Sequence, residues 1–110
     1  MDARAERLAR NEALFRDLNE QVELVAGSLQ EDGGDIFEFF CECSDVDCTL
    51  RLPIPLAVYE DIRSDPTLFV VAPIHDRPEI EEVVRGADGY QIVRKQGEAA
   101  QFAAENDPRS

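Results

Sequence analysis

The chain has 110 residues, of which 44% are hydrophobic and 32% charged, and its formal net charge is −13. This composition is typical of one small globular domain and excludes a disordered chain. Because the acidity leaves no basic footprint for phosphate groups, we expect no direct contact with nucleic acid or with anionic membranes. The simplest interpretation of the negative charge is that it keeps the protein soluble. The alternative is that it binds a basic protein partner.

The cellular location is predicted from three features of the chain. Its longest apolar stretches fall well short of the ~18 residues of a membrane-spanning helix. The N-terminal residues Met1–Glu6 are not followed by the apolar core of a signal peptide. The cysteine count of three is odd, whereas secreted proteins usually pair their thiols. These features together predict a cytoplasmic protein.

Residues 1–30 are predicted to form one long amphipathic helix. Its apolar stripe repeats at heptad spacing and contains Leu8, Phe15, Leu18, Val22 and Val25. This stripe either packs on its own domain or pairs with a second copy in a short coiled coil. In the second case the stripe would form the surface of a homo-oligomer, and a buried Asn11 would set the register of the helices.

Residues 35–106 are predicted to form the body of the same domain, after a turn at residues 31–35. The predicted strands are Ile36–Cys41, Thr49–Ile54, Leu68–Ala72 and Tyr90–Lys95, and the predicted helices are Pro55–Ser64, Asp76–Arg85 and Gly97–Asn106. This order describes an α+β domain in which a long N-terminal helix precedes a roughly four-stranded sheet with three shorter helices. The segment between the first two strands would form the tip of a β-hairpin.

The most specific chemical feature is a group of three cysteines in that segment. Cys41, Cys43 and Cys48 lie within eight residues, and His75 is the only histidine of the chain. Three thiolates and one imidazole fill the tetrahedral coordination sphere of Zn²⁺. His75 directly follows the third predicted strand, so it reaches the cysteines if that strand lies beside the hairpin. The pattern predicts a structural zinc site, because a metal with four protein ligands keeps no position for water.

Other interpretations of the same residues stay open. The spacing Cys-x-Cys-x₄-Cys is less specific than the paired Cys-x₂-Cys of many zinc sites. Cys41 could be an ordinary buried strand residue, and Cys43 could form a disulfide with Cys48. Asp45 or Asp47 could replace the histidine as the fourth ligand.

The chain contains no recognisable catalytic motif. It lacks His-Glu-x-x-His, Gly-x-Ser-x-Gly, a phosphate-binding glycine-rich loop and the zinc signature of the deaminases. With one histidine, general-base work would fall to a carboxylate such as Glu42, and a cysteine nucleophile would depend on His75. We therefore name no catalytic residue.

Four groups of residues carry a resemblance to other proteins. They are Ala9-Arg10-Asn11-Glu12 with Leu14-Phe15-Arg16, the segment Cys41–Cys48, the run Val71-Ala72-Pro73-x-His75, and Asp88-Gly89-Tyr90. Together they resemble a family of small actinobacterial proteins with no assigned activity, over residues 9 to 95. The resemblance implies that the three cysteines and His75 belong to one pattern. In that family proline often stands at the position of Val46, and glycine at that of Ile74.

Three functions follow from these observations. The first is a small acidic zinc-binding domain that acts as a protein-interaction or regulatory module. The second is a thiol-based redox or metal-responsive switch, in which oxidation of the thiols releases the metal. The third is a metal-dependent enzyme with an open coordination position.

Overall fold

The fold was analysed in a computed structural model, which describes residues 2–29 and 35–109. The predicted turn at 31–35 therefore lies largely outside the described residues. The helices are α1 (Ala3–Leu29), α2 (Leu56–Arg63) and α3 (Gly97–Glu105). The strands are β1 (Ile36–Phe40), β2 (Arg51–Pro55), β3 (Leu68–Val71), β4 (Glu81–Ala87) and β5 (Tyr90–Lys95). The predicted α+β class and the long N-terminal helix are confirmed. No helix of the described residues has both the length and the apolar character needed to cross a membrane.

The described strands form two antiparallel sheets, and not the single four-stranded sheet that was predicted. Strand β1 pairs with β2, where Phe39 lies opposite Leu52. In the second sheet β5 lies between β3 and β4. Pro53 and Pro55 of β2 have no N–H to offer a further strand, which explains why the first sheet ends there.

The predicted helix Asp76–Arg85 is wrong, because β4 occupies the second half of that segment and the first half is coil and turn. The strand turns back onto β5 at Asp88-Gly89, where Gly89 adopts a φ of +87°. A glycine tolerates this conformation at no steric cost, and the β-branched pair Val83 and Val84 favours a strand. The described residues therefore contain two shorter helices after α1 instead of three.

The predicted heptad stripe of α1 is only partly buried. Leu8 and Phe15 pack in the interior, and Val22 lies partly buried against the main core. In contrast, Leu18 and Val25 are 39% and 59% exposed. The face that packs on the body is therefore rotated away from the predicted stripe.

A second row of α1 positions takes the place of the exposed ones. Glu12, Asn19 and Ala26 are buried, each four residues after an apolar residue of the first row. Positions four apart lie on the same face of a helix. Two of these three residues are polar, so the packing of α1 requires polar partners in the body.

Glu12 finds its partner on the second sheet. Lys95 of β5 forms ion pairs with both Glu12 and Glu81. All three side chains are almost completely buried. The ammonium group of Lys95 also lies 4.6 Å from the centre of the Phe69 ring.

Two buried arginines tie the helices and the C-terminal residues together. The guanidinium of Arg16 donates to the carbonyl oxygen of Ala103 at 2.9 Å. Arg63 donates to Glu20 at 2.7 Å and to Asp107 at 2.6 Å. These bonds fix α1 against α2 and α3.

Glu42 connects the two sheets. Its backbone N–H donates to the Val70 carbonyl oxygen at 2.7 Å, and its Oε1 accepts from the Val70 N–H at 3.0 Å. Glu42 thus occupies the outer edge of β3 as a neighbouring strand would. This contact brings the end of β3 beside the cysteine segment.

Candidate metal centre

Three cysteines and one histidine from two separate segments meet at one point. Cys41, Cys43 and Cys48 lie in the connection between β1 and β2, and His75 follows β3. Their ligand atoms all lie within 4.8 Å of one another. The structure therefore brings together all four predicted side chains in a group positioned to hold a metal ion.

The distances around His75 are close to those of a zinc site. Its Nδ1 lies 3.7 Å from the Sγ of Cys41 and 3.8 Å from the Sγ of Cys48. With Zn–S near ~2.3 Å and Zn–N near ~2.1 Å, tetrahedral angles separate a sulfur and a nitrogen ligand by about 3.6 Å. A metal ion would thus require only small shifts of these side chains.

The cysteine segment is folded by a turn centred on Asp45. The Asp47 N–H donates to Asp45 Oδ1 at 2.9 Å, and the Cys48 N–H donates to the Asp45 carbonyl oxygen at 3.0 Å. The turn returns Cys48 towards Cys43. Neither Asp45 nor Asp47 belongs to the group of ligand atoms found among the described residues.

A second turn positions the histidine. The His75 N–H donates to the Ala72 carbonyl oxygen at 3.0 Å, and Ile74 between them has a φ of +63°. The Ala72 N–H donates to the Sγ of Cys41 at 3.1 Å. Although β3 belongs to the other sheet, its C-terminal end thus contacts the first cysteine directly.

Glu42, between the first two cysteines, is an anchor. Its Oε2 accepts hydrogen bonds from Asn19 Nδ2 at 2.9 Å and from the Tyr59 hydroxyl at 2.7 Å, while Oε1 accepts from Val70. The side chain is completely buried, and this burial raises the pKa of Glu42 although the three donors act in the opposite direction. Because protein groups enclose the carboxylate, it stabilises the cysteine segment instead of facing solvent as a base.

Helix α1 holds the same segment through Asn11, which the heptad pattern assigned to a coiled-coil contact, and through Asn19, which lies outside that pattern. Asn11 Nδ2 donates to the Ser44 carbonyl oxygen at 2.8 Å. Asn19 pairs with the Phe40 backbone, accepting from its N–H at 2.7 Å and donating to its carbonyl oxygen at 2.9 Å. The only sequence signal for these contacts is the presence of amides on an otherwise amphipathic helix.

The three thiols do not ionise independently. A hydrogen bond from Cys41 lowers the pKa of Cys43 to about 5. The same bond, together with burial, raises the pKa of Cys41, and burial raises that of Cys48. One thiolate therefore forms readily, whereas the other two need a cation to replace their protons, as metal binding provides.

A cleft connects the group to solvent. It has a volume of about 250 Å³ and is lined by Cys43, Asp45, Ile74, His75 and Arg77. Arg77 Nε donates to Ser44 Oγ at 2.7 Å, which fixes one wall of the cleft. A metal ion or a small reagent could enter by this route.

Comparison of the chain with protein-family models, with curated proteins and with solved structures finds no match in any of the three. The resemblance to the actinobacterial family therefore stays a prediction. The site is interpreted from its own residues alone.

Proposed function

We propose that the chain is a small structural zinc-binding domain in which Cys41, Cys43, Cys48 and His75 hold one Zn²⁺. The observation that carries this proposal is the convergence of their four ligand atoms within 4.8 Å from two segments of the chain. Thiolate and imidazole ligands suit zinc better than they suit Mg²⁺ or Ca²⁺, which prefer oxygen.

A structural role is favoured because four protein ligands would complete the tetrahedral shell. The ion would join the β1–β2 connection to the end of β3 and so link the two sheets. Its binding free energy would then contribute directly to folding. An enzyme, the third hypothesis, would need a coordination position that is open to water.

We further propose that this domain is a protein-interaction or regulatory module, with a basic protein as the expected partner. The acidic composition of the chain supports this proposal. Aliphatic side chains exposed on α1 offer a second surface, which is considered below.

The decisive experiment is metal analysis of protein purified without added metal, combined with variants. We expect about one zinc per chain. Cys43→Ser should lose most of the metal, and His75→Ala should bind it more weakly, since each loses a ligand. Asp47→Asn is the matched control in the same loop and should keep full occupancy.

Two results would contradict the proposal. Less than about half an equivalent of any transition metal, with stability unchanged by a chelator, would exclude a structural site. Full occupancy in His75→Ala with loss in Asp47→Asn would instead assign the fourth position to the aspartate.

A redox or metal-responsive switch is the second candidate, and the cleft favours it. Cys48 is only half-buried, and Cys43, although buried, borders the cleft, so an oxidant can attack Cys48 first and Cys43 can then complete the disulfide. With hydrogen peroxide, two thiolates would lose two electrons and form a disulfide, while the peroxide O–O bond breaks and its two oxygens take up two protons from solvent to leave as two waters. Zinc release under mild peroxide, reversed by a thiol reductant, would support the switch. Retention of zinc would favour the purely structural role.

A further inference from the structure

Helix α1 carries an exposed apolar stripe that its own domain does not cover. Leu14, Leu18, Val25 and Leu29 are 48%, 39%, 59% and 73% exposed. Their spacings of four, seven and four residues place them on one face of the helix. We call these four residues the outer stripe; it lies beside the buried row of α1 and is distinct from it.

The outer stripe continues into an apolar groove. Val22, Val25 and Leu29 form one wall with Ala26, and Phe37 of β1 forms the other. The groove has a volume of about 370 Å³. Single exposed apolar residues are ordinary, but a contiguous patch of this kind marks a contact surface.

The two ends of this surface carry opposite charges. Arg7 is exposed and lies two helical turns before Leu14, on the same face of α1. Glu38 of β1 lines the groove at the opposite end. An antiparallel pair of such surfaces would bring each Arg7 towards the partner's acidic end, whereas a parallel pair would bring like charges together.

We propose that a second copy of this chain covers the outer stripe in an antiparallel, two-fold symmetric arrangement. A two-fold axis places the same patch on both sides, so apolar residues meet apolar residues along the whole stripe. The surface differs from the stripe expected from sequence: Leu8 and Phe15 are used in the chain's own interior, while Leu14 and Leu29 take their place. The proposal does not depend on metal binding.

The test is the molar mass of the full chain in solution, measured by sedimentation at concentrations up to about 1 mM. The wild-type protein should reach the mass of a dimer. Leu18→Lys should raise the dissociation constant at least about tenfold, because it places a charge in the centre of the contact. Leu24→Lys is the matched control: Leu24 is 63% exposed on the same helix but lies off the stripe, so its dissociation constant should stay that of the wild type.

Charge reversal tests the orientation. Arg7→Glu and Glu38→Arg should each weaken the dimer, and the double variant should recover wild-type affinity because unlike charges face each other again. A monomer at every concentration, or equal disruption by Leu18→Lys and Leu24→Lys, would overturn the proposal. Failure of the double variant to recover would overturn the antiparallel arrangement. Circular dichroism of each variant establishes that it is folded.

Discussion

At the scale of single residues, Ile74 adopts a backbone conformation that its side chain disfavours. Its φ of +63° lies in the left-handed region, which costs residues other than glycine about 1–2 kcal/mol. The turn has Pro73 in its second position and a positive φ in its third, a pattern that normally calls for glycine in the third. The side chain is 88% exposed, so it gains little packing in return. The turn brings His75 to the cysteines, so the strained conformation lies at the candidate metal site.

Replacing Ile74 with glycine should therefore stabilise the protein. The relief of about 1–2 kcal/mol is partly offset by the greater freedom of glycine in the unfolded chain, leaving a gain of about 0.5–1 kcal/mol. Urea denaturation of the metal-loaded protein measures this change. Val46→Gly is the control, because Val46 is also exposed and flanks the site but has no positive φ. If Ile74→Gly is no more stable than Val46→Gly, the positive φ of Ile74 does not destabilise the folded protein.

At the scale of elements, the main feature is the set of hydrogen bonds from α1 to the cysteine segment. Asn11 and Asn19 lie eight residues apart on the helix and bond to backbone groups before and after Glu42. Asn19 alone makes two bonds to the Phe40 backbone and one to Glu42. These hydrogen bonds therefore hold the segment that carries the candidate ligands against the long helix.

Asn19→Ala should weaken both the fold and the metal site. It leaves two part-buried backbone groups of Phe40 without their partner, which we expect to cost about 2 kcal/mol of unfolding free energy. Loss of a supporting contact behind metal ligands typically lowers metal affinity about 10–100-fold. Chemical denaturation and zinc competition measure the two effects, with the exposed Gln21→Ala as control. A destabilised variant with unchanged zinc affinity would show that the Asn19 contacts stabilise the fold but do not support the metal site.

The sequence predicted elements well where local chemistry determines them. Pro55 before α2 and the β-rich run Tyr90–Lys95 gave boundaries close to the observed ones. The segment after Asp76 was mistaken for a helix, since an Asp cap, a proline and early acids are typical helix starts. Pairing with β5 outweighed that local preference. Asp88-Gly89, a turn between two β-prone segments, was the available signal for this hairpin.

The candidate ligands were predictable for a different reason. Cysteine and histidine are rare in this chain, and their chemistry restricts what they can do together. Asn19 and Glu12 were not predictable as interior residues. The burial of an amide or a carboxylate depends on partners distant in sequence, which no local pattern reveals.

At the scale of the whole molecule, the interior contains as many acids as bases. The buried charged residues of the described chain are Glu12, Glu42, Glu81, Arg16, Arg63 and Lys95. The net charge of −13 therefore resides outside this core. Within the core, two carboxylates share Lys95, and one excess negative charge in a dry environment is costly. Burial, aided by a hydrogen bond to Glu81, raises the pKa of Glu12 well above its usual range, although Lys95 acts in the opposite direction.

This raised pKa predicts how stability depends on pH. The folded protein keeps a proton on Glu12 that the unfolded chain releases above about pH 4.3, so this residue reduces the unfolding free energy as pH rises from there. Glu12→Gln imitates the protonated side chain and removes this dependence. Relative to the wild type, the variant should become more stable as pH rises, measured by urea denaturation at several pH values. The exposed Glu82→Gln serves as control, and parallel pH profiles for Glu12→Gln and the wild type would contradict a raised pKa.

The position of Glu42 on the edge of β3 has a consequence for solubility. Leu68–Val71 is an entirely apolar strand, and open edges of such strands are templates for aggregation. Glu42 blocks this edge, and two proposed metal ligands flank it in the chain. Loss of the metal would therefore release Glu42 from the edge of β3 and expose that edge to other chains. We expect light scattering to rise when a chelator removes the metal. Protein that stays clear and monodisperse after complete removal of the metal would show that Glu42 remains in place without it. The ion would then also protect the edge of β3 from pairing with other chains.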